Sequence, residues 1–162
     1  MSAKAPERLT VDYSVVMRGP RSIRFDESVT RRLASFVARH PGRSSSSVAA
    51  RFVDEGLRMD EHPGVMFREG PAGRRATLVS GPDVWQIVRA VRSAREAEPQ
   101  LPDVQLLDLV EGNTGVPVRL IRTALDYWSA YPDEVDAMIE DAEQRELDER
   151  RAHERSRGLL SG

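Results

Sequence analysis

The feature that most constrains this chain is a short alternating segment of five residues. In Arg21-Ser22-Ile23-Arg24-Phe25, Ile23 and Phe25 fall on one face and Ser22 and Arg24 on the other. Two helical patterns follow at once. Asp26 is a good N-cap with Glu27 in the first turn. Val29, Leu33, Phe36 and Val37 stand at helical spacing, which predicts a helix over 27–39. His40-Pro41-Gly42 is its stop signal. Ser44 then precedes a second stripe, Val48, Phe52, Val53 and Leu57, and predicts a capped helix over 45–58. One five-residue strand is not stable by itself, and neither are two helices whose apolar stripes lack a partner. A two-fold dimer resolves both problems. The strands of two chains pair antiparallel, four helices pack beneath them, and Ile23 and Phe25 face those helices.

Ser22 and Arg24 then face outward as a paired ribbon, and a two-stranded ribbon fits the major groove of B-DNA. An arginine there reads guanine O6 and N7 with two hydrogen bonds, and a serine adds one more. Arg21, Ser22 and Arg24 are the candidate DNA-contacting residues of the ribbon. The start of the second helix, Ser45-Ser46-Ser47, offers free N–H groups and the positive end of a dipole to a phosphate.

This segment resembles the ribbon-helix-helix family of repressors, the CopG, Arc and MetJ type. The matching residues are the strand Arg21–Phe25, the helix start Asp26-Glu27-Ser28-Val29, the Leu33/Phe36/Val37 core, the Pro41-Gly42 turn and Ser44-Ser45-Ser46-Ser47-Val48. They span about a quarter of the chain. Arg21 stands where family members usually carry an apolar residue, and Pro41-Gly42-Arg43 where they carry a Gly-Leu/Ile turn. The resemblance implies a homodimer, DNA readout by the sheet and backbone contact to phosphate.

Residues 1–18 carry little pattern beyond a short β-prone run at Tyr13–Met17, and are expected to be a flexible arm. After Asp60–Gly64, the runs Val65–Phe67 and Ala76–Val79 flank the glycine-rich Glu69–Arg75 and predict a hairpin. Ser80-Gly81-Pro82 opens a helix with Val84, Ile87, Val88 and Val91 as its buried stripe, and Pro82 near its first position. A short helix over 104–111 is expected to stop at Gly112-Asn113-Thr114-Gly115. Pro117 starts another, with Ile121, Ala124, Leu125 and Trp128 inside. Pro132-Asp133-Glu134 starts the last, with Val135, Met138, Ile139 and Ala142 inside. The apolar stripe ends after Leu147, so 146–162 is expected to be a charged, solvated helix that frays.

A second resemblance covers about 80 residues: His62-Pro63-Gly64-Val65-Met66-Phe67, Gly73-Arg74-Arg75-Ala76, Gly81-Pro82-Asp83-Val84-Trp85, and Ala124-Leu125-Asp126-Tyr127-Trp128 with Tyr131-Pro132-Asp133-Glu134-Val135-Asp136. This string is similar to actinobacterial antitoxin-like proteins of the VapB type that carry a helix-turn-helix. It implies a hairpin-plus-helices module, often encoded beside a ribonuclease toxin. The helices at 104–111 and 117–131 are the candidate helix-turn-helix, with Arg119 and Arg122 available for phosphate or bases. Asp126 and its acidic surroundings oppose DNA, so a dimerisation or packing role is the alternative. Trp85 and Trp128 read as core residues.

The charge distribution fits a divided chain. Residues 1–95 carry a net charge of +7 and residues 96–162 a net charge of −9, within a total of −2. A basic front is compatible with a nucleic-acid footprint. The acidic back, reinforced by the i, i+4 pairs Asp141/Arg145 and Glu146/Arg150, suits a basic partner such as a ribonuclease toxin. Cysteine is absent, which excludes disulfides, thiolate metal sites and a cysteine nucleophile. His40, His62 and His153 show no metal-ligand spacing. Gly70–Arg75 lacks the Lys-Ser/Thr ending of a phosphate-binding loop. No nucleophile-base pair emerges, so no enzyme and no cofactor are expected. The mean hydropathy of −0.48, the lack of a long apolar run and the absence of an apolar leader in Met1–Pro6 lead to the expectation of a cytoplasmic protein with no membrane association.

The reading is a mainly α protein in four parts: an arm at 1–18, a ribbon-helix-helix at 19–60 with an intermolecular two-stranded sheet, a β-hairpin plus helix-turn-helix-like module at 61–145, and a charged tail at 146–162. The expected function is a sequence-specific transcriptional repressor that binds double-stranded operator DNA as a homodimer, or as a tetramer on DNA. It is read as the antitoxin of a toxin-antitoxin pair that represses its own operon. The alternatives are a stand-alone ribbon-helix-helix transcription factor, and an interaction module that never meets DNA.

Overall fold

The computed structural model describes residues 22–70 and 73–160; Arg21 and the Tyr13–Met17 run lie outside them. The described residues form six helices and one two-stranded antiparallel sheet: α1 (Glu27–Ala38), α2 (Ser45–Glu61), β1 (Val65–Gly70), β2 (Gly73–Leu78), α3 (Val84–Ala97), α4 (Asp103–Thr114), α5 (Val118–Ala130) and α6 (Pro132–Leu160). The chain divides into two compact units, residues 1–48 and 49–162, and α2 runs through the division.

In the first unit, α1 begins where its cap predicts. Asp26 Oδ1 accepts the Val29 N–H at 2.9 Å, satisfying one of the orphan donors of the first turn. That bond holds the Asp26 carboxyl below the usual carboxylate range. The helix ends at Ala38, and His40 stacks on Phe36 with ring centroids 4.0 Å apart. His40 Nδ1 lies 2.8 Å from the Phe36 carbonyl, which places its proton on Nδ1. Ser44 caps α2 as expected, its Oγ accepting the Ser47 N–H at 3.1 Å. No residue of α1 is buried: Val29, Leu33, Phe36 and Val37 are only half-covered. Residues 22–26 form no strand in the single chain.

The second unit holds the core. The hairpin pairs Val65 with Leu78 at its base and Gly70 with Gly73 at its tip. Val65, Ala76 and Leu78 face inward and join Ile87 and Val88 of α3, Val110 of α4, Ile121, Ala124 and Tyr127 of α5, and Val135 and Ile139 of α6 in one buried cluster. Trp85 and Trp128 pack at its edge, half-buried, as their spacing implies. Gly64, which leads into β1, has φ +106°, and a Cβ there would lie 3.3 Å from Leu120 Cδ2. The positive φ favours glycine, and any Cβ would press on Leu120.

Two boundaries differ from the sequence expectation. Pro82 precedes the N-cap Asp83 of α3 instead of lying inside the helix. There, Gln86 Oε1 accepts the Asp83 N–H at 2.9 Å and closes the first turn. The run Gly112–Thr114 is helical, and α4 stops only at Gly115, which takes the left-handed conformation at φ +70°. The charged residues after Leu147 continue α6 without a break to Leu160.

Candidate nucleic-acid interface

The residues expected to meet DNA fall in both units. Ser22 and Arg24 lie in the extended lead into α1 and are exposed, while Arg21 lies outside the described residues. Arg24 has no ion-pair partner among the described residues. On the alternate positions of the same segment, Ile23 is 66% exposed and Phe25 37%. Ile23 is thus a large aliphatic side chain open to water.

Ser45, Ser46 and Ser47 form the first turn of α2 and are exposed. The Ser47 N–H is already engaged by Ser44 Oγ, and Ser47 Oγ donates to the Ser44 carbonyl at 2.9 Å. The Ser45 and Ser46 N–H groups have no acceptor among the described residues, so they are the two open to an anion.

In the second unit, Arg119 and Arg122 project from the first two turns of α5, directly after the α4–α5 turn at Gly115–Pro117. Both are exposed, and neither has an ion pair among the described residues. This contrasts with the arginines of α3. Arg89 grips Glu146 with two bonds of 2.6 Å; Arg92 holds Asp136 at 2.6 Å. Arg95 caps the Leu101 carbonyl at 2.6 Å and pairs with Asp103. The Arg89 guanidinium keeps the Glu146 carboxyl below its usual range, and Glu146 in turn holds Arg89 up.

The two arginines beside the glycine-rich hairpin tip are used internally. Arg74 binds Glu55 of α2, and Arg75 binds Asp83, the cap of α3. Both carboxylates are buried, Glu55 at 6% exposure and Asp83 at 4%. The Glu55 hydrogen bonds hold the Arg74 guanidinium above its usual value against the opposing effect of burial.

Sequence reading also missed a polar cluster that ties α2 to α5 and α6. Arg58 Nη1 donates to Glu134 Oε2 at 2.6 Å and to Tyr127 Oη at 3.0 Å, while its Nε lies 3.0 Å from Asp54. The guanidinium also lies 4.0 Å from the ring centre of Tyr131. Burial works against the Arg58 charge, but Glu134 and Tyr127 outweigh it and hold the guanidinium above its usual value. Burial pushes the Tyr127 hydroxyl up, Glu134 adds to the rise and Arg58 opposes it. His62 joins edge-on to Tyr127 at 5.3 Å and to Tyr131 at 5.9 Å. One signal was present: Glu55 lies seven residues after Val48, on the inward stripe of α2, where a carboxylate calls for a partner.

No helix among the described residues is long and apolar enough to cross a membrane. Comparison with protein-family models, with curated proteins and with solved structures finds no match for this chain.

Proposed function

We propose that this protein is a dimeric, sequence-specific DNA-binding regulator that uses the segment 21–25 as half of an intermolecular ribbon. The observation that carries this reading is the first unit. A lone extended segment with exposed Ile23 and Phe25 leads into a capped helix pair, and α1 has no buried residue. Each of these groups gains cover from a second copy, and pairing leaves Arg24 on the outer face of the ribbon. The free Ser45 and Ser46 N–H groups supply phosphate contacts of the kind that fix register without reading sequence.

Within this reading the chain acts as an antitoxin that represses its own operon. Support comes from the resemblance of 62–136 to VapB-type antitoxins and from the carboxylates of α6. Asp133, Glu140, Asp141 and Glu143 are all exposed, and suit a basic partner such as a ribonuclease toxin. A stand-alone transcription factor shares the DNA site and lacks only this partner.

Fluorescence anisotropy on the DNA upstream of the gene, against a scrambled duplex, tests the proposal. The wild type prefers its own DNA, and Arg24→Ala loses about 1–3 kcal/mol of that preference. Equal binding to both duplexes, or an Arg24→Ala variant that behaves as wild type, refutes the ribbon as reader.

A further inference from the structure

The three helices α3, α4 and α5 enclose a groove of about 520 Å³. That volume lies within the range of roughly 300–1,000 Å³ that small-molecule sites occupy. Its floor is apolar and buried: Leu106 is 4% exposed and Leu107 6%. Half-buried Val91 and Leu125 form its walls. The rim is where charge gathers. Arg92 and Arg95 stand on it, but each already holds an aspartate, Asp136 and Asp103 respectively. Arg122 also lines the groove, and it has no ion-pair partner among the described residues.

We propose that this groove binds a small amphipathic monocarboxylate, its apolar body on Leu106 and Leu107 and its carboxylate on Arg122. A guanidinium matches a carboxylate with two parallel N–H···O bonds. The apolar floor gives no hydrogen bond to a sugar or a polar body, so the remainder of the ligand is hydrocarbon or aromatic. The rim limits the charge. Glu96 also lines the groove, and its negative charge opposes a second anionic group such as a phosphate dianion. The site does not depend on the DNA-binding reading, since every residue in it belongs to the helical unit.

The test is a titration of the full chain without DNA, followed by amide chemical shifts, with 2-naphthoate and octanoate as probes. Uncharged 2-naphthamide and dianionic 2-naphthyl phosphate are the comparators. Arg122→Gln removes the anchor without touching the core. Arg119→Gln removes an equal charge three residues earlier on α5, from a residue that does not line the groove. Both probes are expected to shift amides of α3, α4 and α5 around the groove. Arg122→Gln weakens 2-naphthoate roughly tenfold or more, while Arg119→Gln changes it less than about twofold. The amide and the phosphate bind more weakly than the acid. Absence of groove shifts with both probes at millimolar concentration overturns the proposal. So does equal binding of acid and amide, or an equal effect of the two glutamine variants.

Discussion

Arg74 and Glu55 meet through two parallel hydrogen bonds, Nε to Oε1 at 2.6 Å and Nη2 to Oε2 at 2.7 Å, across nineteen residues of chain. The pair fastens the hairpin to α2, and its carboxylate is buried. Removing one partner of a fully buried pair costs about 3–5 kcal/mol, mainly from the stranded charge. Here Arg51 Nε stands 3.7 Å from the same carboxylate and softens the loss. Arg74→Ala is therefore expected to cost about 2 kcal/mol, read as a lower urea midpoint. An unchanged midpoint means that the pair adds nothing to the fold.

The Tyr127 hydroxyl is buried and held above its ordinary value of 10.0, first by desolvation. The unfolded chain ionises this phenol more readily than the folded one. Its contribution is therefore complete below pH 10 and is lost as pH rises through the raised folded value. Tyr127→Phe is expected to cost about 1 kcal/mol at neutral pH and to flatten the loss of stability above pH 10. Denaturant titrations of both proteins across the alkaline range check this; parallel curves would show that another group drives the alkaline loss.

Asp26 gives the opposite sign. Its carboxyl is lowered chiefly by the Val29 N–H, so the cap is at full strength above the ordinary carboxylate value and weakens as pH falls through the lowered one. The Val29 amide proton should report this as a shift that follows the Asp26 titration. In Asp26→Asn, the cap persists at acid pH and that shift disappears. If the Val29 shift persists in Asp26→Asn, another acid is responsible.

Arg119 and Arg122 separate two kinds of DNA contact. If they meet phosphates, each alanine variant weakens binding alike on the upstream and scrambled duplexes, and lowers the slope of log affinity against log salt by about 1. A variant that loses only sequence preference has removed a base contact instead. Identical affinity and slope would place α5 off the DNA.

Ile23 and Phe25 govern assembly in the proposed ribbon. Phe25→Asp sets a charge on the face that two copies would bury, and should shift the sedimentation coefficient from dimer to monomer while leaving the helical content of α3–α6 unchanged. A variant that still sediments as a dimer excludes this surface as the interface.

Local chemistry made much of the fold readable. Asp26, Ser44 and Pro132-Asp133 each mark a helix start, and the stripes of α3, α5 and α6 are the buried core. Where stop signals competed, backbone conformation decided: Gly112 stays helical at no steric cost, and Gly115 ends α4 because it alone there takes positive φ. The arginine partnerships were not legible, because Glu55 to Arg74 and Arg58 to Glu134 join residues brought together only by tertiary packing. The ribbon residues pose the reverse problem. Their pattern is plain in the sequence, but pairing of the proposed kind, with another chain, would leave no hydrogen bond within this one.

Arg89 grips Glu146 midway along α6. From Asp148 to Arg157 every side chain is exposed, so those residues take no support from the hydrophobic core. Isolated helical segments of this length are marginal in water. Such a stretch is expected to fray before the core opens, and Arg150, Arg151, Arg155 and Arg157 lie within it. A trypsin-like protease meets its substrate there before it meets the folded body. Susceptibility to such a protease is then expected to follow the fraying of a few turns of charged helix more closely than the stability of the core.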